Sequence, residues 1–164
     1  KLPVPSSTPL TCSDAWFFSP APAFCPDGPA ESLTVAEQPF ERGRMVWVPD
    51  DVGAQVYVMY TDGKAESWAD EWVEGEPETD PGIQPPAGLF QPRRGFGAVW
   101  RGVTGLRDRL GWALAPESAA QTRVQRERFG VDAKGWHVFL RLADGRVVQF
   151  IGHYATYAWL EVGR

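Results

Sequence analysis

The stretch GWHVFLRLADGRVVQFIG, residues 135–152, decides the fold. Trp136, Val138, Leu140 and Leu142 fall on one face by strict alternation, as in a half-buried strand. His137 and Arg141 point the other way, and Phe139 breaks the pattern. Ala143-Asp144-Gly145 is hairpin-turn chemistry, because an Asp-Gly pair tolerates the positive φ such turns demand. The apolar run after it reads as the returning strand. Earlier in the chain, Gln55 to Tyr60 is rich in β-branched and aromatic residues, Asp62-Gly63 is a second turn, and Lys64 to Trp68 returns. TRVQRERF and ATYAWLEV are further strand candidates. Met45 to Val48 is a short apolar run, and Pro49-Asp50-Asp51 reads as a turn.

The two hairpins lie in segments that resemble each other. PAESLTVAEQPFERG leads to VYVMYTDGKAESW, and PESAAQTRVQRERFG leads to HVFLRLADGRVVQF. Residues 31–68 and 116–151 therefore form a weak internal repeat, with RMVWVPDD an extra excursion in the first copy. A repeated supersecondary unit predicts two related antiparallel β-meanders. Between them, residues 69–94 are acidic and then Pro-rich and hold no regular element for long. A helix is expected from Phe96 to Arg101, with a further turn near Leu106 to Leu110. The expected class is mainly β, a β-rich α+β chain with a short helical segment between the meanders. Residues 31–164 form a single domain.

Residues 1–30 read as a Pro-rich tether. Trp16, Phe17 and Phe18 are too apolar for a free linker and are expected to dock on the domain or on another subunit. Cys12 and Cys25 are the only cysteines. With no His or further Cys nearby they do not make a zinc site. A disulfide in an oxidising compartment is the reading, and two unpaired thiols are the alternative. The chain begins at Lys1 rather than Met, as a trimmed mature product does. A net charge of -5 disfavours nucleic acid and anionic lipid as partners. No apolar run is long enough to span a membrane as a helix. Asn is absent, so no N-glycosylation sequon exists.

GFGAVW, residues 95–100, invites a nucleotide reading and fails it. Trp100 stands where a dinucleotide fingerprint needs its third Gly, and no Walker lysine follows. His137 and His153 sit in no nucleophile or metal motif, so each is read as structural or exposed. No catalytic residue, metal site or cofactor is expected. The stretch WADEWVEGEPETDP carries the ligand-binding candidates. Trp68 and Trp72 flank Asp70, Glu71 and Glu74. An indole stacks on the apolar face of a pyranose while carboxylates accept its hydroxyl hydrogen bonds. The alternatives are indoles in the core and a solvated acidic loop. Ca²⁺ is a further alternative, although the spacing matches no EF-hand. A catalytic carboxylate pair would need a separation of roughly 5–9 Å.

After Trp100 come Thr104-Gly105, Leu110-Gly111-Trp112-Ala113 and Glu117. These offsets resemble the LGFP repeat of bacterial cell-wall-associated proteins, and FERGRMVWV resembles the Phe-Glu-Gly-Gly stretch of the same units. Trp112, Ala113 and Thr104 depart from the LGFP pattern, and the order of the two motifs is permuted. The chain also resembles uncharacterised secreted bacterial domains. The resemblance implies an extracellular or cell-surface location, attachment to the wall and no cofactor. The expected function is a non-catalytic secreted module that attaches to cell-wall or extracellular polysaccharide. The alternative is a structural subunit of a surface layer or filament, assembled with copies of itself through Trp16, Phe17 and Phe18.

Overall fold

Each hairpin read from the sequence belongs to a four-stranded meander. The structure is a computed structural model that describes residues 11–51, 53–129, 135–153 and 156–164. The first meander is β1 (Glu31–Phe40), β2 (Gly43–Asp50), β3 (Gly53–Tyr60) and β4 (Ala65–Ala69). Helices α1 (Arg94–Gly102) and α2 (Leu106–Leu110) follow. The second meander is β5 (Ser118–Phe129), β6 (Gly135–Arg141), β7 (Val147–His153) and β8 (Thr156–Gly163). All eight strands form one antiparallel sheet in the order β4-β3-β2-β1-β5-β6-β7-β8. β1 and β5 join the meanders, with Val35 opposite Ala120 and Glu31 opposite Val124. The outer strands then curl toward each other, and Lys64 bridges Ala158. The sheet is a nearly closed barrel. RMVWVPDD is not an excursion but β2, a full ladder strand between β1 and β3. Pro49 and Asp50 belong to that strand, opposite Ala54 and Gly53, so the turn begins later than expected. The two Asp-Gly turns join β3 to β4 and β6 to β7, which are not equivalent positions in the two meanders.

Alternation sorts the side chains into an inside and an outside. Val35, Val46, Val48, Tyr57, Met59, Val124, Val138, Leu140, Val148 and Phe150 are buried together inside the barrel. Burying each such side chain contributes roughly 1.5–3 kcal/mol. At the end where β1 turns into β2 and β6 into β7, polar groups close the barrel. Glu37 pairs with Arg44 and accepts the Ala143 N–H at 2.7 Å. Asp144 accepts Arg146 Nη2 at 2.8 Å. Trp159 Nε1 donates to the Tyr60 carbonyl at 2.7 Å, and Trp159 N–H to the Gly63 carbonyl at 3.0 Å. These bonds stitch β8 to the β3–β4 turn.

The outside of the sheet is also apolar and is covered twice. Over the first meander, Phe96, Val99 and Trp100 of α1 and Leu106 and Leu110 of α2 pack on Met45, Val56, Val58 and Tyr60. Over the second, the described part of the expected tether lies flat on the barrel. Residues 1–10 lie outside the described residues. Phe18 stacks on Phe139 with ring centroids 5.2 Å apart, and Trp16 meets the same ring at 4.5 Å. Phe139, the break in the alternation, is thus the core of this second contact. Gln125 holds the segment from the sheet side. Its Nε2 donates to the Ala15 and Gly28 carbonyls at 3.0 and 2.9 Å, and its Oε1 accepts Phe17 N–H at 3.2 Å. Cys12 and Cys25 form a disulfide that closes this loop. Under it, His137 Nδ1 lies 3.1 Å from Glu127 Oε2. Burial pushes the Glu127 carboxyl up, with the Asp27 charge adding to it, and pushes His137 down.

Two outcomes follow from these closures. Replacing both Cys12 and Cys25 by Ser frees a loop whose cross-link contributes about 3 kcal/mol, and urea unfolding is expected to show a loss of that size. The hydrogen bond from Arg146 holds the Asp144 carboxyl below its ordinary value. Because the folded-state value is depressed, its stabilisation is present above the unfolded value of about 3.9 and is lost as pH falls below it. Melting temperatures measured across the acid range are expected to fall less steeply for Asp144→Asn than for the wild type.

Candidate functional site

The candidates on the acidic segment do not converge on one site. Trp68, next to the last residue of β4, faces outward and is 38% exposed, with its Nε1 donating to Glu66 Oε2 at 2.9 Å. Trp72 sits instead at the start of α1. A hollow of about 210 Å³ beside it is lined by Ala36, Trp47, Asp70, Arg94, Phe96 and Glu117 among others. A second hollow holds Trp72, Glu74, Glu76, Glu78 and Arg94. Asp70 is fully engaged within the fold. It accepts Trp47 Nε1 at 2.7 Å and the Trp72 N–H at 3.1 Å. Its carboxylate also lies against the first turn of α1, so close that a Cβ on Gly95 would collide with it. Negative charge is favourable at a helix N-terminus. Glu78 binds Arg94 Nε at 2.9 Å and contacts Arg93, and the two guanidiniums hold its carboxyl below the usual range. Arg94 begins α1 at φ 49°, a left-handed conformation that costs a non-glycine residue roughly 1–3 kcal/mol. Glu71 and Glu74 are exposed. The acids therefore hold the loop to the helix, and Trp72 forms a wall between two hollows.

The motif residues after Trp100 find their partners in the FERG stretch. Trp100 is fully buried and its Nε1 donates to the Gly111 carbonyl at 2.8 Å. Gly111 has φ +83°, and a Cβ there would strike Glu41. Glu41 N–H donates to the Trp112 carbonyl at 3.0 Å, and Glu41 Oε2 accepts the Trp112 N–H at 2.8 Å. Arg42 donates through Nε to the Arg109 carbonyl at 2.8 Å, near the end of α2. Gly43 faces the Met59 carbonyl so closely that no side chain fits. The two motifs are halves of one packing contact, which accounts for their offsets without a ligand.

A further cavity lies elsewhere, in the barrel end where β2 finishes and β3, β6 and β8 begin. It has a volume of about 330 Å³, within the range of small-molecule sites. Three rings form its floor. Trp136 lies 5.8 Å from Tyr57 and 6.1 Å from Tyr157. Val138, Asp50, Gln55, Ser67 and Arg126 complete the inward-facing lining. Glu127 and His137 border it too, but alternation turns them to the opposite face, where His137 meets Phe24 at 5.3 Å. Much of the polar capacity is unspent. Gln55 Oε1 accepts Ser67 Oγ at 3.2 Å, and its amide N–H groups make no hydrogen bond among the described residues. Trp136 Nε1 and the hydroxyls of Tyr57 and Tyr157 make no hydrogen bond among the described residues. Burial pushes the Tyr57 phenol up, so it stays a neutral donor. Arg126 is anchored by Glu31 at 2.8 Å and by the Pro49 carbonyl at 3.1 Å.

None of these cavity residues was singled out by the acidic-stretch reading. One signal does mark them. Arg126 is in phase with Val124, Gln55 with Met59, and Asp50 with Val48, so each is a polar residue on an otherwise apolar strand face. Among the described residues no cluster of three or more His, Cys, Asp or Glu is placed to hold a metal. The side chain of His153 lies outside the described residues. Trp16, Phe17 and Phe18, the candidate assembly arm, pack on their own barrel. The engagement of Asp70 gives a direct expectation. Asp70→Ala leaves Trp47 Nε1 without its acceptor and is expected to cost about 1–3 kcal/mol in urea unfolding. Comparison with protein families, with curated proteins and with solved structures finds no match for this chain.

Proposed function

We propose that the chain is a non-catalytic, secreted or cell-surface module that attaches to cell-wall or other extracellular glycan, and that the sugar sits in the barrel mouth. The observation that carries the reading is the cavity lining: three aromatic rings beside polar groups whose hydrogen bonds are not used up by the fold. A pyranose offers an apolar face to such rings and a rim of hydroxyls to such donors and acceptors. The Cys12–Cys25 disulfide supports an oxidising setting, since such bonds persist outside the cytosol. This reading moves the ligand from Trp72 and Asp70, where the carboxylate is occupied, to Gln55, Tyr57, Arg126, Trp136 and Tyr157.

The test is retention on insoluble peptidoglycan, chitin and cellulose, together with a glycan array. The wild type is expected to bind at least one of these polymers. Changing Gln55 and Tyr157 together to Ala is expected to weaken binding about tenfold or more, the equivalent of one or two lost hydrogen bonds. Circular dichroism should show an unchanged fold. Retention by no glycan overturns the reading, and so does undiminished binding by the double variant.

A further inference from the structure

β4 and β8 meet at the Lys64–Ala158 bridge and at the Trp159 N–H to Gly63 carbonyl bond. Toward the mouth no further bridge joins the two strands among the described residues. A cleft of about 540 Å³ opens there, lined by Lys64, Glu66, Ser67, Trp68, Arg109 and Tyr157 among others. Ser67 and Tyr157 line both this cleft and the mouth cavity. The two spaces are therefore neighbours. At the outer end stands Trp68, its ring orientation fixed by the bond from its Nε1 to Glu66. Arg109 lies beside it, stacked on Tyr60 at 3.5 Å and 3.3 Å from Glu66.

We infer that the ligand is a linear pyranose chain, bound with one unit in the mouth and the next units running out through the β4–β8 seam onto Trp68. The inference rests on the glycan reading and refines it. A barrel closed all round would admit only a chain end at its mouth. An unbridged seam lets the chain continue, so the site takes internal segments of a polymer. Ser67 faces into the barrel, and its neighbour Trp68 faces out, so one short strand carries the contact from the inner unit to the outer one. Unbridged strand edges also present backbone N–H and C=O groups that a polyhydroxyl chain can use. Trp68, expected from the sequence to be a sugar platform, keeps that role as an outer subsite separate from Trp72.

The experiment compares binding of long and short probes by the intact chain. Two probe sets are used in parallel: peptidoglycan glycan strands against the disaccharide cut from them, and chito-oligosaccharides from monomer to hexamer. In the set that binds, affinity is expected to rise roughly tenfold from the shortest to the longest member. Trp68→Ala is expected to remove most of that rise and leave the shortest binding member unchanged, and Trp68→Phe to restore it in part. Equal affinity for short and long members overturns the inference while the glycan reading stands. An equal loss on short and long members in Trp68→Ala also overturns it. If no member of either set binds and the polymer retention assay is negative too, the glycan reading itself has failed. Retention on a polymer without any length dependence among its own oligomers counts against the seam alone. The wild-type length profile decides the matter even if a Trp68 variant does not fold.

Discussion

The ladder between β1 and β5 is the joint on which the rest of the barrel depends. Glu31 to Glu37 run antiparallel against Val124 to Ser118, and this pairing turns two four-stranded meanders into one eight-stranded sheet. A four-stranded meander alone would expose one apolar face and two open edges. Joined through β1 and β5, the meanders leave only β4 and β8 as edges, and the twist of the sheet brings those edges together. Val35 of β1 and Val124 of β5 then belong to the same interior as Met59 and Phe150 from opposite walls. Closure is good where Trp159 and Gly63 meet and incomplete toward the mouth, and that asymmetry creates the cleft.

A sheet that buries its inside and much of its outside needs more than one cover. The first meander receives α1 and α2, whose Trp100, Leu106 and Leu110 fill the outer cluster. The second receives the disulfide-closed segment carrying Trp16, Phe17, Phe18 and Phe24. The two covers are unrelated in sequence and in secondary structure, and they solve the same problem on topologically matching faces. The FERG and LGWA stretches fit into this scheme as the clamp that holds the helical cover to the β1–β2 turn. Backbone bonds from Glu41 and Arg42 to Trp112 and Leu110 make that clamp rigid.

How much of this could be read beforehand depends on how locally each element is specified. The two Asp-Gly hairpins were legible because alternation and turn chemistry both lie within a dozen residues. The helical segment was legible from the spacing of Phe96, Val99 and Trp100. β1 was not, because Glu37 and Gln38 interrupt its apolar pattern, and both are buried. Only long-range partners account for them: Arg44 for Glu37, and the Ala115 carbonyl for Gln38. The irregularity at Phe139 had the same origin, since the ring that covers it comes from a segment more than a hundred residues earlier. The disulfide was legible from cysteine counting. The mouth cavity was not, because its residues come from six strands that only the curling of the sheet brings together. Trp68 and Trp72 looked like one platform because they are neighbours in sequence, yet β4 ends between them and sends them to different places.

The chemistry of the mouth follows from what the fold leaves unsatisfied. At the opposite end of the barrel, Glu37, Arg44, Asp144 and Arg146 satisfy one another, which is how a barrel end is closed at least cost. In the mouth the arrangement is reversed. Trp136 Nε1, the Gln55 amide N–H groups and the hydroxyls of Tyr57 and Tyr157 are held in place by packed rings but find no partner among the described residues. Solvent can satisfy these groups in the free chain. An apolar ligand would displace that solvent and leave the donors unpaired, which loses affinity. A ligand with hydroxyls around an apolar ring replaces the solvent bonds one for one and adds ring stacking. On the proposed glycan reading, such a cavity would disfavour hydrocarbon and favour polyhydroxyl rings, although its floor is aromatic.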